Sequence, residues 1–283
     1  MTDTNQKIIK TGVVGWPISH SLSPRLHGFW LKKYGISGDY QAYAVQPEDL
    51  GEFLKKMPEQ GISGLNLTVP HKEIVFPFLD DVDETARRIG AVNVVSLRDG
   101  RLHGTNTDGY GFLTNLKDNA PAWSAASGPV VVIGAGGAAR AAIVSLLDEG
   151  VSEIRLINRT RTRADQLAEV FDDPRLVVCD WEKRSANLSG AALLVNTTIL
   201  GMKGQPPLDI DLMALPPSAV VYDIVYNPLE TDLLQAARAR GNPVVDGLGM
   251  LLYQAAPAFE AWFGQRPEVD KILRDHVLEG FNG

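Results

Sequence analysis

One stretch limits the possible folds more than any other. Residues 129–160 read "PVVVIGAGGAARAAIVSLLDEGVSEIRLINRT": apolar β-formers, a glycine-rich turn, a helix running to Gly150, and a second strand. A strand, a helix and a strand at this spacing form a parallel βαβ unit. The turn, Gly134-Ala135-Gly136-Gly137-Ala138-Ala139, follows the G-x-G-x-x-A pattern. Its first glycine makes the tight turn, its second lets a pyrophosphate approach the backbone, and its third position allows close helix–strand packing. The helix that follows offers free N–H groups and a positive dipole end to a phosphate. An ordinary tight βα turn is the plainer alternative. With strand, helix and second strand all in order, it is the lesser one.

The end of the second strand bears on the cofactor. A NAD site wants an acid here to grip the ribose 2′-hydroxyl. The chain instead offers Asn158, Arg159, Thr160, Arg161 and Arg163. Guanidinium groups suit a 2′-phosphate through forked, charge-assisted hydrogen bonds. A solvated basic start to the next helix is the alternative, but the helix dipole disfavours cations at its N-terminus. The balance favours NADP over NAD.

Composition excludes several classes. The 283 residues suffice for one large domain or two modest ones, and a 45% hydrophobic, 22% charged chain can bury a core rather than stay disordered. A net charge of −7 argues against a phosphate-tracking nucleic-acid binder, though not against a local basic pocket for a small anion. A single cysteine, Cys179, rules out an intrachain disulfide and a multi-thiolate metal site. No histidine spacing suggests a metal. The opening "MTDTNQKIIK" lacks the apolar core of a signal peptide, and no apolar run reaches membrane-spanning length, the most apolar being broken by Arg140. A cytoplasmic protein is the expectation.

Along the first half, strands are expected at 7–16, 40–45 and in "SGLNLTVP". "SPRLHGFWLKKYG" reads as a helix with Ser23 as N-cap, Pro24 at N1 and Gly35 closing it. "PEDLGEFLKKM" reads as a second helix burying Leu50, Phe53, Leu54 and Met57, and a third runs over Asp81–Ile89. Asp99-Gly100 between apolar flanks signals a hairpin. The second half continues with helix 161–171, strands 175–179, 191–196 and 219–224, helix 229–240 and strand 243–246, then helices to the end. This predicts a mixed α/β half followed by a doubly wound parallel sheet.

Other short motifs carry local chemistry. In "SHSLSP", Ser21 and Ser23 stand at a helix mouth, where two hydroxyls and free backbone donors would suit a carboxylate. For Ser23 alone a helix cap explains as much. "NLTVPHKE" sets His71 beside Lys72, and the bland reading of both is a strand end and a solvated helix start. Asp108 of "NTDG" reads first as a helix cap. His20 and His27 read as structural or surface residues, and Cys179, ending an expected core strand, as a buried apolar one.

Taken together the motifs resemble the shikimate dehydrogenase family. "SHSLSP", "NLTVPHKE", "GAVNVV", "NTDG", "GAGGAAR", "NRTRTR", "NTTILGM", "YDIVYNP" and "DGLGMLLYQA" occur in family order from about residue 11 to about 263. The resemblance implies an α/β substrate-binding domain, 1–108 with 248–283, and a Rossmann-type NADP-binding domain, 109–247, with a cleft between them. It implies reversible NADPH-dependent reduction of 3-dehydroshikimate to shikimate, in the biosynthesis of chorismate and aromatic amino acids, by a cytoplasmic protein with no nucleic-acid or membrane partner. It is compatible with a homodimer.

Residue by residue, it implies that Ser21 and Ser23 hold the substrate carboxylate. Thr68 and Lys72 face the ring hydroxyls and the reacting oxygen, with Asn66 shaping the same wall. Asn93 and Asp108 bind ring hydroxyls, Lys72 and Asp108 form the catalytic pair, and Tyr226 and Gln254 complete the pocket. Gly134, Ala135, Gly136, Gly137 and Ala138 cradle the pyrophosphate, and Asn158, Arg159, Thr160 and Arg163 meet the adenosine end. Ile224 and Gly247 lie near the nicotinamide, and Glu84 is a further cofactor position. Leu22 stands where many members carry a polar or basic residue, and its side chain should point away from the ligand. A NAD-using quinate/shikimate dehydrogenase and a non-catalytic NADP-binding regulator are the alternatives. A methylenetetrahydrofolate-type dehydrogenase would lack the two-serine site.

Overall fold

A computed structural model describes residues 8–281. Lys7, the expected first residue of the opening strand, and most of "MTDTNQKIIK" lie outside the described residues. The chain divides into two compact units, Met1–Thr107 with Gln254–Gly283, and Asp108–Tyr253.

The first unit runs β1 (Ile9–Gly15), α1 (Ser23–Tyr34), β2 (Gly38–Ala44), α2 (Leu50–Lys55), α3 (Met57–Gln60), β3 (Ile62–Leu67), α4 (His71–Ile74), β4 (Asp81–Val82), α5 (Glu84–Ile89), β5 (Val94–Arg98) and β6 (Arg101–Thr105). Its sheet has the order β2-β1-β3-β5-β6-β4. β1 pairs in parallel with β2 and β3, whereas β5 is antiparallel to both β3 and β6. Asp99 and Gly100 take φ of 51° and 75°, the left-handed pair a two-residue hairpin turn needs. Val14, Leu50, Leu54, Met57, Leu65 and Val95 form one buried face.

Several local expectations are corrected. Ser23 is not the N-cap of α1: Leu22 holds that position without a side-chain bond, and Ser23 is already helical. Ser21 does the capping instead, its Oγ accepting from Ser23 N at 3.3 Å. "PEDLGEFLKKM" is not one helix but a 3-10 turn, Pro47–Asp49, followed by α2 and α3. The expected helix over Asp81–Ile89 begins only at Glu84. Asp81 and Val82 pair with β6, and the Asp83 carboxylate caps α5 by accepting from Ala86 N at 2.6 Å.

The second unit runs α6 (Asp108–Asn119), β7 (Val130–Ile133), α7 (Gly137–Asp148), β8 (Ile154–Ile157), α8 (Arg161–Phe171), β9 (Leu176–Cys179), β10 (Leu193–Asn196), β11 (Val220–Asp223), α9 (Asp232–Ala239) and β12 (Val244–Val245). Its sheet is parallel throughout, in the order β12-β11-β10-β7-β8-β9. Every residue of β7 and β10 is buried, as expected of strands covered on both faces. β9 is an edge strand. Cys179 therefore ends an edge rather than a core strand and is half-buried, and burial raises its thiol pKa.

Helix α10 (Gly247–Phe263) runs across the boundary at Tyr253, and α11 (Lys271–Leu278) belongs to the first unit. No helix among the described residues is long and apolar enough to cross a membrane. The C-terminal part of α10 packs directly on the first unit's sheet: Trp262 Nε1 donates to Ser96 Oγ at 3.1 Å and lies against Gly64. A Cβ at Gly64 would sit 2.0 Å from that nitrogen. Gly64→Ala should therefore cost about 1–3 kcal/mol of stability by overpacking, read as a lowered urea midpoint with an unchanged slope. A midpoint equal to wild type would contradict this packing account.

Candidate active site

In the first unit, strand direction gathers the polar residues at one edge. β1 and β3 are parallel, so both end there. β5 starts and β6 ends there, because Asn66 pairs with Val94 and Val94 with Thr105. Thr68 N donates to the Val14 carbonyl at 2.9 Å, and Leu67 N to the Asn93 carbonyl at 2.9 Å. This edge carries Asn66, Thr68, Lys72 and Asn93.

Asn93 is almost fully buried and organises the edge. Its Oδ1 accepts from Thr107 N at 2.8 Å, and its Nδ2 donates to Gln254 Oε1 at 3.1 Å and Thr107 Oγ1 at 3.0 Å. Thr107 Oγ1 donates onward to the Gln254 carbonyl at 2.8 Å, tying the end of the β6 loop to α10. Asn66 Nδ2 donates to the Asn93 carbonyl at 3.2 Å, and Tyr40 Oη to Asn66 Oδ1 at 2.7 Å. One polar chain therefore links Tyr40, Asn66, Asn93 and Gln254.

The ring of Tyr40 stacks on His27 at 4.0 Å. Complete burial holds the His27 imidazole down to about 3, so it is a neutral core residue. His71 is also buried, with Nε2 2.9 Å from the Val45 carbonyl, and burial lowers its pKa. Lys72 is half-buried on the same short helix, and its carbonyl accepts from Val92 N at 2.8 Å. Leu22 is buried and packs toward Gly280. Glu84 is exposed at the first position of α5.

Asp108 belongs to the second unit as the first residue of α6, and it is buried. There the glycine turn follows β7. Gly134 has φ of 117°, and a Cβ on it would meet Thr197 Oγ1 at 2.4 Å, so glycine is required twice over. Gly136 caps α7 with no side-chain bond, is exposed, and has open space where a Cβ would stand. The first turn of α7 holds no acidic residue. Its N–H groups, at Gly137, Ala138 and Ala139, are the unsatisfied donors of any helix start. With Ala135 at the turn, this cradle fits a pyrophosphate.

Beyond β8, Asn158 Nδ2 donates to the Thr160 carbonyl at 2.8 Å and shapes the loop. Arg161 is committed to ion pairs with Asp165 and Asp180. Arg159 and Arg163 are exposed and make no ion pair among the described residues, leaving two guanidinium groups for an anion.

At the ends of β10 and β11 a buried carboxylate is fully bonded. Asp223 Oδ1 accepts from Asn196 Nδ2 and Val225 N, both at 3.0 Å, and Oδ2 accepts from Thr231 Oγ1 at 2.7 Å. Burial nevertheless lifts it from 3.8 to about 6, with those three bonds opposing the shift. Ile224 follows it directly, and a Cβ on Gly247 would lie 2.0 Å from the Ile224 carbonyl oxygen. Burial raises the Tyr226 phenol pKa. Among the described residues no group of three or more His, Cys, Asp or Glu side chains could hold a metal.

The structure thus brings Asn66, Asn93 and Gln254 into one network, and Ile224 and Gly247 into contact. Tyr40, Thr107, Asn196 and Asp223 were not singled out beforehand. All but Tyr40 lie inside quoted motifs, whereas Tyr40 carried no signal beyond its strand.

Three family models match: the shikimate dehydrogenase substrate binding domain over residues 13–95, shikimate / quinate 5-dehydrogenase over 117–200, and the shikimate 5′-dehydrogenase C-terminal domain over 247–274. A protein of Paramagnetospirillum magneticum described as shikimate dehydrogenase (NADP(+)) is 60% identical over 268 residues, covering 94% of this chain and 97% of that one. The chain belongs to the shikimate dehydrogenase family. A family member from Thermus thermophilus, solved in complex with NADP(H) and shikimate, matches with a TM-score of 0.84 at 38% identity, covering 97% of this chain and 99% of that one. Quinate dehydrogenase from Corynebacterium glutamicum, solved with NAD, matches with a TM-score of 0.89 at 32% identity over 96% and 99% of the two chains. Structures on this scaffold have thus been solved with either coenzyme.

The Asp223 environment sets a pH dependence. The folded carboxyl keeps its proton up to about 6 and the unfolded one only to about 3.8. As pH rises through that interval the unfolded state is the first to lose its proton, so folding loses stability, and regains it as pH falls. At about 1.4 kcal/mol per unit, the loss is on the order of 3 kcal/mol. Asp223→Asn should remove it. The stability difference between wild type and variant should shift by roughly that amount toward the variant between about pH 4 and about pH 7. A difference independent of pH in urea unfolding would refute the assignment.

Proposed function

We propose that the chain catalyses the reversible NADPH-dependent reduction of 3-dehydroshikimate to shikimate. The observation that carries this reading is the 60% identity, across 94% of the chain, to a protein described as shikimate dehydrogenase (NADP(+)). The local chemistry agrees with it. Ser21 and Ser23 would hold the substrate carboxylate at the mouth of α1. Thr68, Asn93 and Asp108 would take the ring hydroxyls, with Asn66 shaping the same wall and Tyr226 and Gln254 completing the pocket.

Bound NADPH would supply the hydride. When a hydride reaches the ketone carbon, negative charge develops on the oxygen. An ammonium at that oxygen stabilises the charge and can deliver the proton, and this is the role we give Lys72. Asp108 would orient the Lys72 ammonium and a substrate hydroxyl. His71 is unsuited to the task, being buried against the Val45 carbonyl.

The cofactor would lie along the second unit. Gly134 to Ala138 would receive the pyrophosphate, Asn158, Arg159, Thr160 and Arg163 the adenosine 2′-phosphate end, and Ile224 and Gly247 the nicotinamide. Glu84 would be a further cofactor position. Thus residues 1–108 with 248–283 would be the substrate-binding domain, and 109–247 the NADP-binding domain. We place the enzyme in the cytoplasm. Light scattering of the purified chain tests whether it acts as a homodimer.

Two outcomes are expected. Lys72→Ala should lower kcat roughly 10²- to 10⁴-fold with KM for shikimate changed only severalfold. Near-normal kcat in a folded variant would sink the role of Lys72. Wild type should prefer NADPH to NADH, and shikimate to quinate, in kcat/KM. Replacing Arg159 and Arg163 together by serine should erase most of the coenzyme preference, a loss on the order of 10²-fold. A wild-type enzyme that turns over NADH and quinate equally well would favour the NAD-using alternative.

A further inference from the structure

Helix α10 opens "GLGMLLYQ", with glycines at 247 and 249 inside helical backbone. Glycine is the poorest helix former short of proline, so two of them in the first turn of α10 call for a reason. For Gly247 the reason is the Ile224 carbonyl, 2.0 Å from where a Cβ would be. For Gly249 it is a side chain of α6: a Cβ would lie 1.7 Å from Asn115 Oδ1.

Asn115 is almost completely buried and its amide is fully used. Nδ2 donates to Tyr222 Oη and to the Asp246 carbonyl, both at 2.8 Å. Oδ1 accepts from Asn119 Nδ2 at 2.9 Å. One turn earlier on the same helix face, Phe112 stacks flat on the Tyr222 ring at 4.9 Å. Tyr222 lies two residues before Ile224, and Asp246 one before Gly247. A single buried amide therefore grips both segments that converge at Ile224 and Gly247.

We propose that Asn115 is a positioning residue for the nicotinamide end of NADPH, fixing the gap between the end of β11 and the start of α10. The inference rests on the reading of Ile224 and Gly247 as nicotinamide neighbours. Asn115 touches no cofactor atom in this account. It acts by keeping the two backbone segments at a separation that only glycine tolerates. Misplacement of a binding wall by about an ångström can cost up to two orders of magnitude.

The test compares whole and partial cofactor. NADPH binding is measured by its fluorescence, and binding of adenosine 2′,5′-bisphosphate, which occupies only the adenosine end, by thermal shift. Asn115→Ala should weaken NADPH roughly tenfold and leave the bisphosphate within about twofold. Tyr222→Phe, which removes only the link to β11, should show the same pattern more weakly, and it decides the matter if Asn115→Ala does not fold. A deuterium isotope effect with NADPH labelled at the transferred hydrogen should change in both variants. NADPH affinity unchanged in the folded variants, or both ligands weakened equally, overturns the proposal. Gly247→Ala separates the two levels. If it weakens NADPH while the Asn115 and Tyr222 variants do not, only this inference fails. If none of the three affects NADPH, the nicotinamide placement fails with it.

Discussion

Parallel strand pairing is the constraint on which the rest depends. A parallel strand cannot be reached by a tight turn, so each must be followed by a crossover. All the strands then end at one edge, and the loops that leave them collect there. In the second unit this sets Gly134 after β7 beside Thr197 after β10, where the strand order reverses. In the first unit β1 and β3 are parallel and β5 and β6 form a hairpin, so two strand ends, one start and one return share an edge.

A second requirement follows from the first. Residues at a crowded sheet edge are buried, and buried polar groups must be bonded. Asn66, Asn93, Asn115 and Asn196 meet this with amides, which give donors and acceptors without charge. Each amide accepts from one segment and donates to another, so it sets the distance between chain segments far apart in sequence. Asp223 differs in being a carboxyl, and three hydrogen bonds do not fully offset its loss of water.

The sequence was most legible where one local rule decides the conformation. The Asp99-Gly100 hairpin needs left-handed residues, and Gly134 needs both a positive φ and a missing Cβ. Helix 161–171 is bounded as the periodicity predicts. Legibility failed where tertiary contact overrides local preference. Ser23 looks like an N-cap, yet it is already helical and buried, and Ser21 does the capping. Asp81 and Val82 look helical, but β6 offers their backbone a partner. Cys179 lies in an apolar run, and only strand order reveals that the run is an edge. The arginines after β8 read as one basic group, whereas the fold assigns Arg161 to Asp165 and Asp180 and leaves Arg159 and Arg163 to the solvent. The nearest sign of Asn115 was indirect, a glycine at 249 with no turn to explain it.

The pair His71 and Lys72 shows why side-chain pKa in isolation is a poor guide to chemistry. Imidazole titrates nearest to neutrality and is the usual first choice for proton transfer. Here α4 starts one residue after Pro70, and its first position turns inward. The His71 ring is buried, and since a carbonyl can only accept, its Nε2 must donate to Val45. That bond fixes the tautomer, and burial disfavours the charged form, so the ring is held toward the neutral state. One step round the helix, Lys72 keeps its side chain half-exposed while its carbonyl is anchored by Val92 N. The same short helix therefore hides His71 and leaves Lys72, the group we propose for proton transfer, half-exposed. Position is decided by the strand that precedes the helix, and by the amides that hold its edge.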